Sequence, residues 1–199
     1  MKPRLWLVRH GETEWSADGR HTGSTDIPLT ERGREQAAAL GRALKTLDVQ
    51  FTKAYVSPLG RTRETARLVG FADAEPMDDL HEWDYGEFEG RKTSDIRKDL
   101  DDPHWLIWNA DIREGETPED VGKRADRARG LLMRSDGDVI VFSHGHFLRM
   151  FAARWMELPA RAGQHLALDT GTISILGFEH EYQVITRWNA PLDEERMKV

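Results

Sequence analysis

Leu5-Trp-Leu-Val-Arg-His-Gly-Glu-Thr13 decides the fold. Four apolar residues run straight into a charged cluster. A short apolar run bounded by a glycine turn reads as a buried strand. The chemistry therefore begins where the strand stops. In open α/β sheets, ligands occupy the crevice beyond the carboxyl ends of the strands. Arg9 and His10 would face that crevice, and Gly11 would let the backbone turn sharply beside a ligand. Asp138-Val-Ile-Val-Phe-Ser-His-Gly-His146 repeats the design, with an apolar strand that ends in His-Gly. Two such strands side by side would bring His10 and His144 to one edge, with an arginine next to them.

Working outward, 14–28 is rich in Gly, Ser, Thr and Asp and lacks periodicity, so a loop is expected there, forming part of the pocket wall. Thr30 reads as the N-cap of a helix with Glu31 in its first turn. Ala37, Leu40, Gly41, Leu44 and Leu47 then follow at helical spacing. Lys53-Ala-Tyr-Val-Ser57 reads as a second strand, and Arg61 falls in the first turn of the helix after it. A short strand is expected near 74–77. Leu80 to Gly90 is a glycine-punctuated aromatic and acidic loop. The weakly helical stretch that follows reads as a lid-like insertion over about 91–114. Thr117-Pro118 opens a strong helix to about Arg134. The His144 strand, a helix over 147–156 and a closing hairpin follow, and 193–199 reads as a loose polar tail. This alternation predicts a three-layer α/β/α sandwich on a mostly parallel central sheet, as one domain over 1–199.

The composition narrows the function. At 39% hydrophobic and 32% charged the chain reads as globular. It has no cysteine, which excludes disulfides, thiolate catalysis and Cys-based metal sites. Its net charge of −7 argues against nucleic acid as the main partner. Local arginines can still make a cleft positive. The apolar run near the start is too short for a signal peptide or a membrane span, so a cytoplasmic setting is expected, without membrane contact.

Arg9, His10, Arg61 and His144 all fall at predicted strand ends or in the turns just after them. Cationic groups gathered at one edge repel unless an anion lies among them, and phosphate suits arginine's forked donors. The plain alternative is that they meet solvent and surface carboxylates, and a lone strand-end histidine is ordinarily a buried, hydrogen-bonded one. Given a phosphate, something must attack it. No Gly-x-x-x-x-Gly-Lys-[Ser/Thr] loop is present, and no Asp stands where a carboxylate nucleophile with a metal is expected. Histidine remains, attacking phosphorus to give a phosphohistidine. Arg9, Arg61 and His144 would spread the charge on the phosphoryl oxygens. The leaving alkoxide needs a proton. Glu82 is the candidate, desolvated by Trp83 and Tyr85, with Glu12, Glu87 and Glu89 as rivals. His144-Gly-His146 has metal-ligand spacing but no matching carboxylate pair, so neither a metal nor another cofactor is expected. Arg91, Lys92 or Arg113 is a candidate contact for a distal substrate group.

Several stretches together resemble the histidine phosphatase superfamily, the phosphoglycerate mutase-like group. They are Arg9-His-Gly-Glu-Thr13, Thr22-Gly23, Pro28-Leu-Thr-Glu31, Ser57-Pro-Leu-Gly-Arg61, Glu82 with Tyr85-Gly86 and Glu89-Gly90, Gly115-Glu-Thr117 and Ser143-His-Gly145. The resemblance implies phosphorylation on His10, proton donation by Glu82, and a metal-free phosphate pocket completed by Arg9, Arg61 and His144. It implies substrate contacts at Ser16, Thr22, Gly23, Tyr85 and Gly145. Ser16 stands where the mutases commonly carry Asn. Residues 82–90 and 143–149 are most similar to small sugar-phosphate and broad acid phosphatases. The expected activity is thus phosphomonoester hydrolysis on a small phosphorylated metabolite. A mutase and a non-catalytic phospholigand-binding protein are the alternatives, and a homodimer is the expected assembly.

Overall fold

The computed structural model describes residues 2–190. The expected polar tail at 193–199 lies outside them. Leu5–Arg9 forms β1, and Val139–Ser143 lies parallel beside it as β4, with Leu5 opposite Val139 and Arg9 opposite Ser143. Lys53–Val56 (β2) pairs parallel with β4, and the two-residue Glu75–Pro76 (β3) pairs parallel with β2. Ile173–Glu179 (β5) runs antiparallel to β1 and turns back into Tyr182–Ala190 (β6). The strand order is β3-β2-β4-β1-β5-β6. The two histidine-bearing strands are therefore the central pair.

Alternation along these strands sends side chains to opposite faces. Leu5, Leu7, Val139 and Val141 pack on one side with helices α5 (Pro118–Leu132) and α6 (Gly145–Trp155). Trp6, Val8, Ile140 and Phe142 pack on the other with α2 (Glu31–Lys45) and α3 (Gly60–Val69). That is the expected α/β/α sandwich. Thr30 and Thr117 cap α2 and α5 as the sequence indicates. No described helix is long and apolar enough to cross a membrane.

Two boundaries differ from expectation. Residues 14–18, read as loop, form the short helix α1 (Glu14–Asp18). Thr13 and Ser16 make a reciprocal capping box there, at 3.2 and 2.9 Å. This box uses Ser where Glu or Gln usually stands, so its signal is weak. Helix α6 starts at Gly145 and not at Phe147. Its first turn is completed by a carboxylate distant in sequence, described below.

The insertion folds as α4 (Thr93–Asp99) and a 3₁₀ turn at Ile107–Asn109. Ile96, Trp105, Ile107 and Trp108 join the core on the α5–α6 side, against Trp83 and Tyr85. The insertion thus forms a packed wall beside the strand ends.

Candidate active site

The turn after β1 is held from three directions. The His10 amide donates to the Ser143 carbonyl at 3.0 Å, which continues the β1–β4 ladder for one more residue. The Gly11 amide donates to Thr65 Oγ1 on α3 at 3.1 Å. A Cβ on Gly11 would lie 2.3 Å from the Gly33 carbonyl oxygen, and one on Gly33 would lie 2.1 Å from that of Glu12. Two glycines are therefore needed for the turn to rest on the first turn of α2.

This clamp fixes His10. Its Nδ1 lies 2.8 Å from the Gly11 carbonyl oxygen, an acceptor only, so Nδ1 carries the hydrogen and Nε2 keeps its lone pair. Burial holds the ring well below the usual histidine pKa, and the Arg61 and Arg9 charges push the same way. His10 is a neutral imidazole with one bare nitrogen.

His144 lies edge-on to His10, with ring centroids 5.3 Å apart. Its Nδ1 accepts from Arg61 Nε at 3.2 Å and its Nε2 meets Ser57 Oγ at 2.8 Å. Burial and the Arg61 charge keep it neutral as well. Both of its ring nitrogens are thus engaged, while Nδ1 of His146 meets the Tyr85 hydroxyl. The His-Gly-His spacing places its two rings among different partners. No cluster of three or more metal-ligating side chains occurs among the described residues.

Glu82 arrives on the loop after β3. Ser143 Oγ donates to the Leu80 carbonyl at 2.7 Å, and Arg124 on α5 donates to the Asp79, His81 and Glu82 carbonyls while pairing with Glu116. The Glu82 carboxylate accepts from the His146 amide at 3.0 Å and the Phe147 amide at 2.8 Å, so it caps α6 from outside that helix. The Trp83 amide adds a third bond at 2.9 Å. Burial raises the Glu82 pKa, and these three amides and Arg61 oppose the rise. The rival carboxylates are occupied elsewhere. Glu12 bonds Thr30 and faces Arg32, Glu87 is exposed, and Glu89 bonds the amides of Gly23 and Thr25.

Arg9, His10, Ser16, Thr22, Glu82, Tyr85 and Gly145 share the wall of one cavity of about 200 Å³. Arg61, His144 and Gly23 sit behind that wall, with Arg61 and His144 buried against His10. A Cβ at position 145 would lie 3.1 Å from the Arg9 Cζ, so any side chain there requires the guanidinium to give way slightly. Arg9 donates one nitrogen to the Leu168 carbonyl, and its buried Nε has no partner among the described residues.

Gly19, Arg20, His21, His146, Arg149 and Leu168 complete the wall. Arg91, Lys92 and Arg113 are not on it. Arg91 pairs with Asp99, and Lys92 with Asp18. His146 and Arg149 had a readable signal: three residues apart, they share the face of α6 that begins at Gly145. Leu168 lies in irregular chain and had none.

Glu82 is the only acidic residue on this wall among the described residues, against three arginines. A cavity of that charge takes an oxygen-rich anion, and with a neutral histidine at its base it defines an enzyme acting on phosphate esters. The chain belongs to the histidine phosphatase superfamily (branch 1), whose family model matches residues 5–191. An acid phosphatase of Mycobacterium tuberculosis is 44% identical over 179 residues, 89% of this chain and 87% of that one. A sedoheptulose 1,7-bisphosphatase of Saccharomyces cerevisiae is 38% identical over 79% of this chain and 69% of its own. A solved Mycobacterium tuberculosis structure, 41% identical, superposes with a TM-score of 0.90 over 97% of this chain and all of that one.

Proposed function

We propose that this protein is a metal-independent phosphomonoesterase acting on small phosphorylated metabolites, sugar phosphates among them, through a phosphohistidine on His10. The observation that carries this reading is the bare Nε2 of neutral His10 on the wall of a cavity that Arg9, Arg20 and Arg149 also line.

The two half-reactions balance on these residues. The Nε2 lone pair forms the N–P bond as the ester P–O bond breaks. Glu82, its pKa raised by burial, gives its proton to the leaving oxygen. Water then attacks the phosphohistidine, and the Glu82 carboxylate takes its proton. The N–P bond breaks, and inorganic phosphate and neutral His10 are returned. Arg9 stabilises the phosphoryl oxygens directly, with Arg61 and His144 behind it. Ser16, Thr22, Tyr85 and Gly145 border the substrate, and Gly23 supports the loop from behind. A cytoplasmic setting fits substrates of this kind.

Arg149 supports a substrate with a second anionic group. It lines the cavity, faces no carboxylate within 4 Å among the described residues, and lies over Trp108 at 4.7 Å. Its Nε and Nη2 donate to the Gly163 and Gln164 carbonyls, both at 3.1 Å, which fixes its direction without an ion pair. The name of the yeast relative, a bisphosphatase, agrees with this.

The family also holds phosphoglycerate mutases. A mutase must keep water from the phosphohistidine while an intermediate reorients. The short insertion here packs into the core as a wall, so hydrolysis is favoured. The test is phosphate release from p-nitrophenyl phosphate and a panel of sugar mono- and bisphosphates, beside phosphoglycerate interconversion. Phosphate release faster than interconversion supports the reading. Interconversion outrunning every hydrolysis would make the chain a mutase, and binding without turnover would make it a phospholigand-binding protein.

A further inference from the structure

Arg61 is buried, yet among the described residues no carboxylate lies within hydrogen-bond distance of its guanidinium. Asp26, at 3.6 Å from Nη1, makes its closest approach to the Gly60 amide at 2.7 Å. The guanidinium is held instead by a curl of backbone carbonyls. Nη1 donates to Thr25 at 2.8 Å, and Nη2 donates to Gly23 at 2.9 Å and to Thr22 at 3.4 Å. Neutral carbonyls fix its position and leave its positive charge available to an anion.

Residues 22–25 belong to no helix or strand, so their own hydrogen bonds do not explain the curl. Its opposite side does. The Gly23 amide donates to both oxygens of Glu89 at 3.0 and 2.9 Å, and the Thr25 amide donates to Glu89 Oε1 at 3.0 Å. With those amides turned to Glu89, the carbonyls of the same segment face Arg61. A Cβ at position 23 would lie 2.5 Å from the Trp83 carbonyl oxygen, so only glycine lets the two loops meet this closely.

We propose that Glu89 is a positioning residue that sets the Arg61 guanidinium through the Gly23–Thr25 segment, a role that rests on Arg61 serving the transferred phosphate. The loop that delivers Glu82 then also aligns the arginine behind the phosphate. One loop would thus order the acid and the charge clamp together. What matters is the acceptor geometry at Oε1, which glutamine can reproduce and alanine cannot.

The test compares kcat and KM on p-nitrophenyl phosphate for wild type, E89Q, E89A, R61A and the E89A/R61A double variant, each with its thermal midpoint. E89A is expected to lower kcat by about 10- to 100-fold with a smaller change in KM, as displacement of a positioned group does. E89Q should stay within about threefold of wild type, because both amides keep an acceptor. In the R61A background, E89A should cost no more than about twofold, since its route is already gone. E89D, which keeps the charge and shortens the reach, stands in with the expectation set for E89A if that variant does not fold. Additive losses, a fully active E89A, or an E89Q as impaired as E89A would overturn the proposal. An R61A as active as wild type would overturn the reading of the site instead, and the role of Glu89 with it.

Discussion

Arg61 donates through Nε to Nδ1 of His144 at 3.2 Å. An arginine cannot accept, so this bond keeps His144 Nδ1 bare and leaves Nε2–H to face Ser57 Oγ. Protonating His144 would set a second cation against Arg61. Burial and neighbouring charge depress His10, His144 and His146 in the same direction, and burial lowers His21 to about 4.

These shifts make stability fall with acid. Below the unfolded histidine value of 6.5 the unfolded chain binds protons that the native state refuses. The unfolded state then carries the greater proton number, so stability decreases as pH decreases, by at most about 1.4 kcal/mol per pH unit for each such histidine. The His21 share of this loss runs from 6.5 down to about 4 and levels off below. Denaturant midpoints measured from pH 7 to 4 should fall, and fall less steeply in His21→Gln. A stability independent of pH over this range would contradict the neutral histidines.

Glu82→Gln should slow alkyl phosphates far more than aryl phosphates. A general acid matters most for a basic leaving group, and such catalysis is typically worth ~10²–10⁴-fold. The wild-type rate on alkyl esters should decline as pH rises through the elevated Glu82 pKa, because the protonated form is the one that acts. The variant should lack that alkaline limb. Equal losses on both ester types would reduce Glu82 to its capping role on α6.

Turnover should persist in excess EDTA. The positive charge around His10 comes from Arg9 and Arg61, and both rings of the His-Gly-His sequence are committed to other partners. Complete loss, restored by a divalent cation, would require a different site.

Arg149→Met should raise KM for a sugar bisphosphate more than for p-nitrophenyl phosphate, by about tenfold in the ratio, as expected when one charge-assisted hydrogen bond to substrate is removed. The methionine retains the packing on Trp108 while removing the charge. An unchanged ratio would take Arg149 out of substrate selection.

Local signals carried most of this fold. The apolar runs of β1 and β4, each ending in His-Gly, set the central pair, and Thr30 and Thr117 announced their helices. What escaped is non-local. Helix α6 begins early because Glu82, 64 residues from His146 in sequence, supplies its cap. Arg124 fastens the Glu82 loop from a helix whose pattern shows only an amphipathic face. The meeting of His10, Arg9 and Glu82 on one cavity wall was legible because strand ends and loops bring them to one edge. The outer wall was legible only in part: the spacing of His146 and Arg149 puts them on one face of α6, but nothing local aims that face at the cavity, and Leu168 lies in irregular chain.

The covalent step on His10 is the core of the account. Rapid mixing of enzyme with ³²P-labelled substrate, quenched into alkali where a phosphoramidate survives, measures it directly. Wild type should carry acid-labile label on a peptide containing His10, and His10→Ala should remain folded, carry none and show no turnover. Absence of label during active turnover, or label and activity undiminished in His10→Ala, would contradict the phosphohistidine mechanism.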